Sequence, residues 1–320
     1  MVQQRSKVIN PLSLGFSRKK YWINAWKNKW FYIFALPAVV VLFLFAYKPM
    51  YGVIIAFKDF KIRKGIWGSE WIGMANFKRM FTYANFWQLM RNTIYISLLK
   101  IFIDTFSTII LALLFNELRN AKFKRVVQSF SYLPHFISWV ILGGIIRELF
   151  SPTRGVVNDL IKLFGGKPIY FLADANYFVG MLIVTNLWKG IGWGTIIYLA
   201  AISAIDQEQY ESAVIDGASR FQQARYITIP CIMPTIVTLF ILNLGSVMNA
   251  GFDQIFNLYN SQVYSVADII DTYVYRIGLM DWQYSYSTAV NLFKNVIGII
   301  LVIGSNRLVR ILSKGEQGLW

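Results

Sequence analysis

Long apolar stretches alternate with short polar connectors along most of this chain. Runs of about 20 apolar residues or more fall at roughly 31–57, 93–116, 126–150, 177–202, 235–257 and 287–310, the length a helix needs to cross a hydrocarbon core. Polar residues interrupt the third, fourth and fifth runs, so their number is firmer than their edges. Buried helices of a soluble protein do not explain six such runs in 320 residues. The pattern predicts an all-α fold class: a polytopic membrane protein with six transmembrane helices.

Basic residues near the span ends set the expected orientation, because lysine and arginine favour the cytoplasmic side. The tail before the first span holds Arg5, Lys7, Arg18, Lys19, Lys20, Lys27 and Lys29 and no acidic residue. The connector after the second span holds Arg119, Lys122, Lys124 and Arg125, and the C-terminal tail holds Arg307, Arg310 and Lys314. Six crossings put these segments on one side, with both termini and the loop at 203–234 cytoplasmic. The first connector argues the other way, since Lys58, Lys61, Arg63, Lys64, Lys78, Arg79 and Arg91 are then external. The N-terminal segment ordinarily dominates, and the third external connector is acidic (Asp268, Asp271 and Asp281). The inside-first orientation is therefore expected.

Composition agrees and narrows the chemistry. Hydrophobic residues are 56% of the chain and charged ones 15%, against about a quarter charged in soluble domains. The net charge of +16 is spread along membrane flanks, and no nucleic-acid motif accompanies it. The first apolar run is too long for a cleavable signal and lacks a small-residue cleavage site. Residues 16–30, FSRKKYWINAWKNKW, read instead as an interfacial segment of aromatics and cations. Cys231 is the only cysteine, so no internal disulfide exists. His135 is the only histidine, which excludes a His-based zinc site or a Ser-His-Asp triad; inside a span it packs or lines a helix contact. Gly165-Gly166-Lys167 resembles a phosphate loop, but Ile161 and Pro168 occupy the positions that need Gly and Ser or Thr. Gly190, Gly192 and Gly194 are spaced for close helix approach or a bend, not as a dinucleotide fingerprint. No metal or cofactor site is expected on this chain, and it cannot hydrolyse ATP alone.

One loop carries the strongest signal. Between Tyr210 and Pro234 the chain reads YESAVIDGASRFQQARYITIPCIMP. Glu211 to Val214 favours a helix, Asp216-Gly217 breaks it, Ala218 to Ile227 resumes it, and Pro230 ends or kinks the second piece. The loop resembles the EAA loop of ABC importer permeases, with Glu211, Ala213, Gly217, Ala218, Ile227 and Pro230 matching and with Ser212 and Ile229 replacing the usual Ala and Leu. The resemblance implies a coupling helix that seats in a groove of a separate ATPase, which holds the ATP and Mg. Glu211 is then the polar contact, Asp216 and Gly217 form the turn between the two helices, and Ala213 and Ala218 are close-packing surfaces.

Two polar stripes mark a candidate path. In the fifth run Asn243, Ser246, Asn249, Asp253 and Gln254 share an arc of about 140° if helical, and in the sixth Ser287, Thr288, Asn291, Lys294 and Asn295 share about 120°. Polar faces at membrane depth point at a cavity or at another helix. Amides and hydroxyls, with aromatics such as Phe252 and Tyr286 nearby, suit sugar hydroxyls and CH faces; helix-to-helix hydrogen bonding is the competing role. Lys100 and Asp104, one turn apart, are placed to neutralise each other.

The segments GVIIAFKDF (52–60), GFDQIFNLYN (251–260) and DIIDTYVYRIGL (268–279) and the last span resemble the maltose-type carbohydrate permeases, in particular shorter members associated with complex oligosaccharides. That resemblance covers most of the chain from about residue 30 and implies a transmembrane permease domain at 31–320, after a tail at 1–30 that its basic residues place in the cytoplasm. It also implies pairing with a second homologous permease, two ATPase subunits and an extracellular solute-binding protein, in a bacterial cytoplasmic membrane. The expected cargo is an oligosaccharide. The basic first connector is compatible with an acidic, uronate-containing ligand and equally with docking of the binding protein. An ion-coupled secondary transporter using Asp104 or Asp253 is the alternative, and it has no reason to carry the EAA-like loop.

Overall fold

The computed structural model describes residues 26–312. Most of the expected interfacial segment 16–30 and the tail cation Lys314 lie outside the described residues. The chain divides into two compact units, residues 1–54 and 55–320.

In the first unit lies most of a helical run, α1 (Lys29–Phe57), long and apolar enough to cross a membrane. Its course widens into a π turn at Phe43–Tyr47, two residues before Pro49. The same device recurs in a later span (Arg220–Gly245), where a π turn at Ala224–Thr228 precedes Pro230. A proline ring collides with the carbonyl four residues back, and one wider turn moves that carbonyl aside. Pro230 is therefore absorbed into a continuous helix rather than ending it.

The second unit opens with a short antiparallel pair, β1 (Lys58–Asp59) and β2 (Glu70–Trp71). The buried Lys58 ammonium donates to the carbonyls of Ile66, Trp67 and Ser69 inside this connector. After α2 (Ala75–Thr82) come α3 (Phe86–Glu117), α4 (Ala121–Phe136), α5 (Trp139–Leu149), α6 (Val156–Leu163) and α7 (Ala175–Ser203). The elbow helix α8 (Gln207–Ile215) leads to α9 (Arg220–Gly245), then α10 (Phe252–Leu258), α11 (Ile270–Tyr275) and α12 (Tyr284–Leu312). Among the described residues, four helices are long and apolar enough to cross a membrane: α1, α3, α9 and α12. Two bent pairs bring the number to six if each is one span: α4 with α5, bent by 103°, and α7 with α8, bent by 74°.

Four of the expected spans thus return as single helices and the third and fourth within the bent pairs, with one shift of consequence. The fifth was placed at 235–257, but α9 ends at Gly245, and residues 246–251 turn the chain before α10 begins. Hydropathy cannot see this break, because Val247, Met248 and Ala250 are apolar and buried.

α3 is the hub. Phe86, Leu89 and Met90 pack with α2, α11 and α12; Ile96 joins Leu142, Phe178, Leu182 and Ile255; Ala112 joins Tyr198, Ile202 and Ile232. Its opposite stripe, Phe106, Ile110 and Leu114, stays exposed at helical spacing, as a lipid-facing surface does. Helices in lipid approach through small residues. α7 runs unbroken through its glycine triplet, and a Cβ on Gly192 would lie 2.0 Å from the Ser131 carbonyl oxygen, one on Gly194 2.9 Å from Thr108. Gly192 and Gly194 serve close approach, not a bend, whereas a Cβ on Gly190 would meet nothing within 4 Å. His135 stacks flat on Trp193 at 4.6 Å between centroids, a packing role.

Candidate functional site

Two places carry the expected chemistry: the elbow between α8 and α9, and a cavity beside the break that follows α9. The elbow is built from local instructions. Asp206 caps α8 by accepting from the Glu208 N–H at 3.0 Å. At the other end Gly217 sits at φ +74; its N–H donates to the Val214 carbonyl at 3.1 Å and that of Ala218 to Ala213 at 2.9 Å, the paired bonds that close a helix on a left-handed glycine. Ser219 then opens α9 with a reciprocal capping box, its hydroxyl accepting from the Gln222 N–H while Gln222 accepts from the Ser219 N–H. A Tyr210–Thr228 hydroxyl contact of 2.8 Å and a bond from Gln223 to the Ala218 carbonyl tie the two arms together.

Glu211, Asp216 and Gly217 are exposed on this elbow, and Ala213 and Ala218 are half-buried. Glu211 and Val214 border a hollow of about 530 Å³ that reaches α3 at Glu117. Sequence reasoning missed the apolar part of the surface. Ile215 is 86% exposed and Phe221 74% exposed, with Val214 beside them. Large exposed apolar groups beside a polar elbow mark a surface for a partner or for lipid; Phe221 borders the same hollow as Ile110 and Leu114. In the sequence they merged with the helical pattern around them.

The second site is a cavity of about 670 Å³ between the break, α10, α11 and the start of α12, within the range of small-molecule sites. Of the seven path candidates, Asn249, Asp253, Ser287 and Asn291 line it, together with Gln254 and Thr288. Asn249 also borders a neighbouring hollow of about 530 Å³ that reaches Lys294 and Asn295. Asn243 and Ser246 do not line either one: they sit at the end of α9, where Ser246 donates to the Asn243 carbonyl. The single arc expected of the fifth span is therefore corrected. Left-handed Ala250 (φ 43) and Gly251 (φ 84) turn the chain and divide the stripe. Lys294 faces inward to an ion pair with Asp271. Burial pushes the Asp271 carboxyl above its ordinary value, and the hydrogen bond and charge of Lys294 oppose that.

The aromatic partners also differ. Phe252 lines the cavity with Trp139, Tyr275 and Tyr284, whereas Tyr286 is buried elsewhere, under the Arg79 guanidinium at 4.4 Å. Trp139 enters only because α5 turns back at the 103° bend, which no local pattern announces. Lys100 and Asp104 do not spend their hydrogen bonds on each other. Lys100 donates to the Ala250 carbonyl and to Gln254 Oε1, and Asp104 accepts from Asn186 at 2.7 Å.

Residues 104–315, which include the elbow and the cavity, match the family described as binding-protein-dependent transport system inner membrane component. The chain belongs to this family. It is 47% identical over 290 residues to protein LplB of Bacillus subtilis (strain 168), covering 90% of this chain and 91% of LplB. It is 44% identical over 303 residues to the polygalacturonan/rhamnogalacturonan transport system permease protein YteP of the same organism, covering 95% and 94%. Among solved structures, a chain of a bacterial ABC transporter involved in the import of the acidic polysaccharide alginate superposes with a TM-score of 0.85 at 37% identity, over 91% of this chain and 98% of that one. A second, from a bacterial alginate ABC transporter in complex with an alginate pentasaccharide-bound periplasmic protein, gives 0.85 at 35% identity, over 94% and 100%. As a member of the inner membrane component family this chain is a multi-pass permease subunit of an ABC importer, a transport subunit and not an enzyme. Its partners are of the general kind such permeases take, a binding protein and ATPases. Membership removes the ion-coupled carrier.

Proposed function

We propose that this permease moves an oligosaccharide released from an acidic polysaccharide, handed over by an extracellular binding protein, across the cytoplasmic membrane by alternating access. The observation that carries the sugar is the cavity. Asn249, Ser287, Thr288 and Asn291 offer uncharged donors and acceptors to hydroxyl groups, and Trp139, Tyr275 and Tyr284 offer faces for CH surfaces. The acidic class is supported by the names of YteP and of the alginate transporters. The basic first connector supports it less, since Lys58 is committed to carbonyls and Lys61 pairs with Asp59 at 3.3 Å.

In this reading the elbow is the cytoplasmic dock for the ATPase. Glu211 is its polar contact, Asp216 and Gly217 its turn, Ala213 and Ala218 its packing surface, and Ile215 and Phe221 its apolar contacts. The 3.8 Å pair between Arg220 and Glu117 sets the elbow beside the basic turn at Arg119–Arg125, which supports a cytoplasmic elbow with both termini on its side. A second, homologous permease completes the pathway, and two ATPase subunits drive it. The test is uptake of labelled uronate and neutral oligosaccharides by cells carrying or lacking the gene. Uptake of uronate oligomers that depends on the chain, and is lost in Glu211→Lys with the protein still in the membrane, is the expected result. Dependence confined to neutral sugars removes the acidic class, and normal uptake by Glu211→Lys removes the docking role.

A further inference from the structure

A lysine in the interior of a membrane protein is costly and ordinarily marks a function. Lys100, in the middle of α3, is 7% exposed. Its ammonium donates to the carbonyl of left-handed Ala250 at 2.8 Å and to the side-chain oxygen of Gln254. Gln254, itself 1% exposed, turns its amide the other way and donates to the Leu182 carbonyl at 2.7 Å and to Thr185 Oγ1 at 2.8 Å, both on α7. Thr185 donates its own hydroxyl to Met181. Every donor and acceptor of the Gln254 side chain that takes part points to a named neighbour, so its orientation is set from both sides. Gly251 completes the fit, because a Cβ there would lie 2.7 Å from Lys100 Nζ.

These bonds join two regions that the chain keeps apart. Gln254 and Gly251 are in the cavity wall, and α7 is the helix that runs into the elbow, with α8 starting at Gln207 just after it. We infer that Lys100 and Gln254 form a clasp between α7 and the break at 246–251, through which movement of the elbow reshapes the cavity. The inference rests on the elbow being the ATPase dock and the cavity the sugar path. Lys100 is a positioning residue: it acts through Gln254 and the Ala250 carbonyl. The two-sided grip on one amide is a hydrogen-bonded network of the kind that carries coupling between separate sites.

The test uses the complete transporter in a lipid membrane with its binding protein, and Lys100→Met, Thr185→Val and the double variant. ATP hydrolysis with and without loaded binding protein is measured beside the melting temperature. Lys100→Met lowers the ratio of stimulated to basal hydrolysis on the order of tenfold, the scale of ordinary coupling between sites. Thr185→Val lowers it less, and the double variant falls no further than Lys100→Met, since both act through the same amide. An unchanged ratio in Lys100→Met, or losses that simply multiply in the double variant, overturns the clasp. So does a lowered melting temperature with a normal ratio in the surviving fraction, which is the signature of packing alone. Glu211→Lys is measured in parallel. A normal ratio there with a lost ratio in Lys100→Met removes Glu211 from the dock and keeps the clasp.

Discussion

Two interruptions of the helical course rely on glycine in the left-handed region, Gly217 in the elbow at φ +74 and Gly251 beside the cavity at φ +84. Their surroundings are opposite. A Cβ on Gly217 would meet nothing within 4 Å, and one on Gly251 would strike the Lys100 ammonium at 2.7 Å. The elbow closes with bonds from its own neighbourhood: Ala218 to Ala213, Ser219 with Gln222, Tyr210 with Thr228. The break is closed by residues far away in sequence, Lys100 on α3 and Leu182 and Thr185 on α7. The bend between α4 and α5 follows the second plan, with the Lys189 ammonium donating to the carbonyls of Pro134, His135 and Ile137. Water can satisfy a turn outside the bilayer. Inside it, carbonyls released from a helix must borrow donors from neighbouring helices.

That contrast breaks first at Gly217. Proline there is expected to abolish uptake while leaving the chain in the membrane. It cannot adopt a positive φ and lacks the N–H given to Val214, a local cost of about 3 kcal/mol or more. Co-purification with the ATPase and stimulated hydrolysis check it, and normal values for both would remove the elbow from coupling.

Next in size is the ion pair behind the cavity. Lys294→Met leaves the half-buried Asp271, which lines the cavity, without its partner, a loss of about 1–3 kcal/mol, read as a lowered melting temperature in detergent. Adding Asp271→Asn is expected to restore most of it. If Lys294→Met melts normally, the cavity wall does not depend on distant donors as the break does.

The two glycines can be compared directly. Gly217→Ala costs about 1–2 kcal/mol, the left-handed backbone penalty alone. Gly251→Ala adds the displacement of Lys100 and the hydrogen bonds that go with it, about 1 kcal/mol for each bond lost. Equal melting temperatures for the two variants would mean that the contact at Gly251 holds nothing.

The smallest effect separates lining from bystander residues. Asn249→Leu and Asn291→Leu are expected to lower uptake by the equivalent of about 0.5–1.5 kcal/mol each with assembly intact. Asn243→Leu, outside the cavity, changes uptake little. If the first two melt early and the surviving fraction transports normally, these amides are helix-to-helix contacts and not sugar ligands.

Most of this divides along the range of the forces involved. The apolar runs determine an all-α membrane fold, because a segment of about 20 apolar residues has few other stable places. The elbow was also readable, down to the Asp216-Gly217 break, because caps and left-handed glycines act within a few residues. Its exposed apolar side chains Ile215 and Phe221 were not, since only exposure in the folded chain distinguishes them from core residues. The break at 246–251 escaped for the same reason in reverse: Val247, Met248 and Ala250 are as apolar as a span, the donor to the turn, Lys100, lies on α3, and the acceptors that hold Gln254 lie on α7. The partners of Lys100 were likewise settled by packing. Asp104 is one turn away, but α7 brings Asn186 to it and the break brings Ala250 and Gln254 to Lys100. Sequence alone determined that the chain is a bundle of long apolar helices and where the exposed turn lies. Tertiary structure decided where a helix could stop among its neighbours, because a buried carbonyl is satisfied only by whatever donor those neighbours carry to it.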